Sequence, residues 1–288
     1  MNVDKKEINA LITLLDDEDS EVVDIVSHKL MSYGKEVIPL LEEMWNPDLN
    51  EQQSSKLDEL IHGIQFYSLI ADIKSWRTNE SHDLLKGYFL VSKYFYPELD
   101  YSDIIKKTDK LVKKVWIELN YNQTPFEQVQ IFNQVFFNHI GFKQDDLKAS
   151  PIRQCINNIL ESKIGELFSI GLLYLILSRK LNIPIFPVVN GNFFTLCACR
   201  TENLDFSLDN TEEILFYINP FQKGMFFSKL QIADYLSKNS LDEDLSFYNP
   251  VDIPVVLERF VIFLGELSLK VQNPTLKDDL AKIAKKLR

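Results

Sequence analysis

The run LFSIGLLYLIL, Leu167 to Leu177, constrains this chain more than any other stretch. It is apolar on nearly every side of a helix, so it needs a shell of protein all round it. It ends in Ser178-Arg179-Lys180 and is well short of the ~18 residues that span a bilayer. The run is therefore expected to be the buried central helix of a soluble domain, and the rest of the fold has to cover it.

The flanking sequence supplies that cover. After Pro184 the pattern changes to IFPVV, then Asn190-Gly191, then NFFTLCACR, which reads as two strands joined by a hairpin-like turn. ILFYINPF reads as a third strand. Upstream, Thr124-Pro125-Phe126-Glu127 is a capping box with Pro at the first helical position, followed by apolar Val129, Phe132, Val135 and Phe136 and stopped by Gly141. Ser150-Pro151 is expected to open a continuous helix, PIRQCINNILES. DLLKGYFLVSKYFYPELD, TDKLVKKVWIELN, KLQIADYLSKN and IPVVLERFVIFLGELSLKV also read as helices. The expected fold is α+β and predominantly helical, with a small antiparallel sheet packed on the buried central helix. Cys197 and Cys199 share one face of their strand and are expected to pack, as small apolar groups, on that helix.

The first 45 residues read as three short helices. Ile8, Leu11, Ile12 and Leu15 mark the first; Ser20 is expected to cap a second that runs through Tyr33 and ends at Gly34; Val37, Ile38, Leu40 and Leu41 mark the third. Asn46-Pro47-Asp48 breaks the pattern before a helix from about Glu51 to Trp76, and RTNES, Arg77 to Ser81, is the candidate domain boundary. The stretch LLDDEDSEVVDIVSHKLMSYGKEVIPLLEEMW resembles a HEAT repeat. Such helix pairs serve as interaction surfaces or as a cap on an adjoining domain.

Charge and composition exclude several functions. With 42 acidic against 31 basic side chains the formal net charge is -11, which repels nucleic acid and anionic membranes. The N-terminus lacks the apolar core of a secretory signal, and the protein is expected to be cytoplasmic. Three cysteines, an odd number, fit buried reduced thiols better than a disulfide framework. Cys155, Cys197 and Cys199 form no CxxC pair, and His28, His62, His82 and His139 show no helical metal-site spacing. No Gly-rich phosphate loop is present, so neither a metal nor a cofactor is expected. The acidic runs DDEDSE and LDEDL read as a solvated turn and a helix-flanking loop. The lysines of LKDDLAKIAKKLR read as complementing a helix C-terminus, with a basic contact surface as the other reading.

The order helix, INNILESKIGELFSIGLLYLILSRKLNIPI, strand, GNFF, loop, YINPFQKG resembles the SirB-type branch of the transglutaminase-like superfamily. Asn157, Leu160, Gly165, Ser169, Leu173, Tyr174, Arg179, Gly191, Phe193, Pro220, Phe221 and Gly224 stand at matching places. The likeness runs roughly from Leu84 to Leu267. The resemblance to the wider superfamily implies a papain-like core in which a Cys at the start of the central helix attacks an acyl group, a strand His acts as base, and an Asp on the next strand orients the His, although the SirB-type branch itself often has Pro at the thiol position. A helix N-terminus stabilises a thiolate and an imidazole moves protons near neutral pH, which is why these residue types stand there.

None of the three is present. The thiol position holds Leu167, with Ser169 the nearest hydroxyl; Pro-Gly-His-Phe reads Asn190-Gly191-Asn192-Phe193; and Ile-Asp-Pro-Phe reads Ile218-Asn219-Pro220-Phe221. A serine without a base is a poor nucleophile, and an amide accepts no proton at useful pH. The expectation is a pseudoenzyme with a HEAT-like region at 1–78, a SirB-type domain at 79–235 and a helical region at 236–288. It would bind a protein or peptide, with Ser169, Asn192 and Asn219 as hydrogen-bonding residues. The other reading is an acyl-transfer or peptidase enzyme with a non-standard nucleophile, Cys197 or Cys199 first.

Overall fold

The structure is a computed structural model describing residues 5–17, 19–43, 51–120, 122–144, 150–269 and 274–288. The chain divides into two compact units, Met1–Asp72 and Ile73–Arg288. The first is helical: α1 (Lys5–Thr13), α2 (Ser20–Ser32), α3 (Ile38–Glu43) and α4 (Glu51–Asn79), the residues of the last from Ile73 on belonging to the second unit. Its core joins Ile8, Leu30, Val37, Leu41, Leu60 and Ile64, the residues that recur at helical spacing. The cap of α2 is Asp19, one residue before the expected Ser20: its carboxylate accepts the Glu21 N–H at 2.9 Å. Both residue types cap well, and spacing alone resolves helix starts to within a residue or two. Gly34 follows α2 with φ +66, the left-handed stop expected of it. The break expected at Asn46-Pro47-Asp48 lies outside the described residues.

The second unit begins with α5 (Leu84–Lys93), α6 (Tyr101–Trp116) and α7 (Pro125–Asn133). The Thr124 capping box forms as read: Glu127 N–H donates to Thr124 Oγ1, and the Thr124 N–H donates to Glu127 Oε2 at 2.8 Å. From Gln134 to His139 the helix widens into a π turn before Gly141, at φ +88, ends it. The strand β1 (Lys143–Gln144) follows. The continuous helix expected from Pro151 is instead a 3-10 turn, Pro151–Gln154, and then α8 (Ile156–Ser162). Cys155 between them is extended, and the Ile156 N–H donates to Ser92 Oγ of α5 at 2.9 Å. A side chain from another helix supplies the cap, which no local pattern announces.

Next come β2 (Ile164–Gly165), paired in parallel with β1, and α9 (Leu167–Lys180). Every residue of α9 from Phe168 to Ser178 is buried, so the apolar run is the central helix. The sheet contains β3 (Ile185–Asn190), β4 (Phe193–Cys199), β5 (Ile214–Asn219) and β6 (Met225–Phe227), antiparallel in that order. The hairpin turn is Gly191-Asn192, with Asn190 paired to Phe193. Gly191 alone takes a positive φ, +57, as the first position of a type II′ turn requires. The chain closes with α10 (Lys229–Lys238), α11 (Ile253–Leu269) and α12 (Pro274–Leu287). The architecture is α+β and predominantly helical. No helix among the described residues is long and apolar enough to cross a membrane.

The sheet is buried on both faces. Phe194 faces α9, where its ring occupies the space a Cβ on Gly171 would need. By strand alternation Leu196 and Ala198 share that face. Cys197 and Cys199, 3.8 Å apart at sulfur, therefore lie on the opposite face with Phe186, Tyr217, Ile232, Leu236 and Phe247. The expectation that they pack on the central helix is corrected: alternation fixes that the two share a face, but both faces are apolar here and only the packed structure chooses between them.

Burial also makes the core sensitive to alkali. Desolvation pushes Tyr88 and Tyr174 well above their ordinary value of 10.0. The folded pKa exceeds the unfolded one, so this stability is complete below pH 10 and is lost as pH rises from there towards the folded values. The urea midpoint should hold from pH 7 to 9 and fall steadily between pH 10 and 11.5. A flat midpoint across that upper range would show that these phenols ionise freely in the native state.

Candidate functional site

The start of α9 is held by a buried glutamine. Gln154 is fully buried, and its Oε1 accepts the Glu166 N–H at 2.9 Å and the Ser169 hydroxyl at 2.7 Å. The Ser169 oxygen also lies 2.9 Å from the Glu166 carbonyl. Gly165 is required by this close packing, because a Cβ there would stand 2.6 Å from Ser169 Oγ and 2.5 Å from Ile159 Cδ1. Ser169, expected to face a ligand, is thus enclosed and committed to the helix start. On the first turn of α9 it points back towards the preceding segment, where Gln154 lies.

Leu167 opens α9 with its side chain half-buried. Asn192 is exposed as the second residue of the β3–β4 turn. Asn219 ends β5, where its Oδ1 accepts the Phe221 N–H at 2.9 Å and its carbonyl accepts the Gly224 N–H at 2.9 Å. The β4–β5 register, Leu196 opposite Ile218, puts Asn219 at the same end of the sheet as the start of β4. Phe194 stacks on Phe168 at 4.8 Å, so this end of β4 lies on the first turn of α9. The turn Pro220–Gln222 also packs on α9. The fold brings Leu167 and Asn192 towards one end of the sheet with Asn219, but no hydrogen bond links them among the described residues.

A second polar bridge ties this region to α7. Asn133 donates from Nδ2 to the Gly224 carbonyl at 2.8 Å and accepts the buried Tyr174 hydroxyl at Oδ1 at 2.8 Å. Gly224 takes φ +74, and a Cβ on it would fall 2.1 Å from Asn133 Oδ1. Neither Gln154 nor Asn133 belongs to a sequence motif that marks it. Asn133 left a trace: four residues after Val129 and between Phe132 and Phe136, it is a polar residue on the apolar stripe of α7.

The remaining nucleophiles are enclosed. Cys155, Cys197 and Cys199 are 2%, 0% and 1% exposed. Burial pushes the thiols of Cys155 and Cys197 well above the ordinary 9.0, which removes the reactive thiolate near neutral pH. His28, His82 and His139 are exposed, and His62 stacks on Phe66 in α4. Among the described residues no group of three or more His, Cys, Asp or Glu is placed to hold a metal ion.

A family model described as the transglutaminase-like superfamily matches residues 102–261, more than half of the chain. The chain belongs to the transglutaminase-like superfamily. The matched segment runs from α6 through α10 into the first half of α11 and includes Leu167, Asn192 and Asn219. Searches of curated proteins and of solved structures return no match.

Proposed function

We propose that this chain is a non-catalytic member of the superfamily, in its SirB-type branch, that binds a protein or peptide. One observation carries the reading. The positions at which acyl transfer needs a thiol, an imidazole and a carboxylate hold Leu167, Asn192 and Asn219. Leucine has no lone pair to attack with, and a carboxamide neither takes up a proton nor balances an imidazolium near neutral pH. The buried thiols support the same conclusion, because a nucleophile must reach both its substrate and its thiolate form. The HEAT-like helices of the first unit supply a further contact surface, and Ile25 and Tyr67 there are 70% and 72% exposed.

Thiol labelling of the folded protein tests the non-catalytic part. With an aromatic disulfide reagent at pH 8, all three cysteines should react no faster than the protein opens, and at once in denaturant. A single thiol that labels within seconds in the native state, with a labelling pKa below about 7, would reinstate the cysteine-enzyme reading.

A further inference from the structure

An open groove of about 860 Å³ lies between the α7 segment and the turn from β5 into β6. Leu167, Asn192 and Asn219 are not on its lining. Its helical wall carries Gln130, Gln134 and Asn138, spaced by four and so aligned along the helix. All three are exposed, and among the described residues their side chains have no hydrogen bond within the protein. The π turn that carries Gln134 and Asn138 is a distortion that recurs at functional sites. The opposite wall is Lys223, Met225 and Phe226, just before and on β6, one of the two edge strands of the sheet.

The lining selects its occupant. Each carboxamide both donates and accepts, as does each residue of an extended main chain. Gln130 and Gln134 are about 6 Å apart along the helix axis, close to the ~6.8 Å between alternate residues of a strand. A purely apolar ligand would desolvate the carboxamides without replacing their hydrogen bonds. Glu127, also on the lining, is held by Thr124 and opposes Lys223 in charge, so the groove presents dipoles more than net charge. An outermost strand has main-chain groups with no strand partner, the feature that lets a peptide add to a sheet.

We propose that this groove, and not the region around the start of α9, seats an extended polypeptide segment. Its main chain lies on Gln130, Gln134 and Asn138, and an apolar side chain rests against Met225 and Phe226. The proposal rests on the binding role inferred above and locates it. The test is to pan a displayed library of random dodecapeptides on the full chain and measure the selected peptides by fluorescence anisotropy. The Gln130→Leu/Gln134→Leu double variant should weaken binding about tenfold or more, with an unchanged thermal midpoint, since both positions are exposed. Methylating alternate backbone nitrogens of the peptide should weaken it similarly. Peptides whose affinity ignores the groove variant and falls on Asn192→Ala would overturn the groove while leaving the binding role intact. A library that yields no binding peptide would overturn both.

Discussion

Gly224→Ala should lower the stability of the second unit by about 3 kcal/mol, read as a lower urea midpoint with an unchanged slope. Gly224 sits at φ +74, where a side chain costs ~1 kcal/mol or more. The new methyl would also fall 2.1 Å from Asn133 Oδ1 and push that side chain out of its bridge. Displacing Asn133 leaves the buried Tyr174 hydroxyl without its acceptor, which adds about 1–3 kcal/mol. A cycle isolates this second part. Asn133→Ala alone should cost about 2 kcal/mol, and adding Tyr174→Phe should recover about half of it, because the orphaned hydroxyl is then gone. Strictly additive costs would mean that the bridge contributes nothing beyond its separate contacts.

Gln154→Leu should also be damaging, at about 2 kcal/mol. It keeps the volume but leaves the part-buried Glu166 N–H without its acceptor, while the Ser169 hydroxyl keeps only the Glu166 carbonyl. Ser169→Ala is mildly destabilising in the natural chain, and in the Gln154→Leu background its cost should shrink, because the bond to Gln154 is already gone. Amide exchange at Glu166 should rise in Gln154→Leu well before global unfolding. If Glu166 exchange is unaffected, the start of α9 is held by packing alone. The Ser169 hydroxyl is committed to the start of α9 by these contacts.

Local chemistry was legible wherever the determining atoms are close in sequence. The Thr124 box, the left-handed stops at Gly34 and Gly141, and the extent of α9 all depend on neighbours within about five residues. The reading that Leu167, Asn192 and Asn219 stand where a thiol, an imidazole and a carboxylate would be needed rests on the resemblance and the order of its motifs. Less was legible where the partner comes from elsewhere in the chain. Ser92 caps α8 from 64 residues away, splitting a helix that the sequence pattern runs together. β6 is three residues long and forms only because β5 is there to pair with it. Ser169 reads as an available hydroxyl until Gln154, fifteen residues earlier, is placed against it.

By itself the sequence determined that an apolar helix must be enclosed and that a small sheet follows it. These follow from side-chain chemistry and short-range periodicity, which no tertiary contact can alter. Only the tertiary structure decided which face of the sheet takes Cys197 and Cys199, that Asn133 and Gly224 lock together, and that Gln130, Gln134 and Asn138 line a groove beside β6. Those features depend on which surfaces meet, and an alternating or helical pattern is equally satisfied by several such meetings until the whole core is packed.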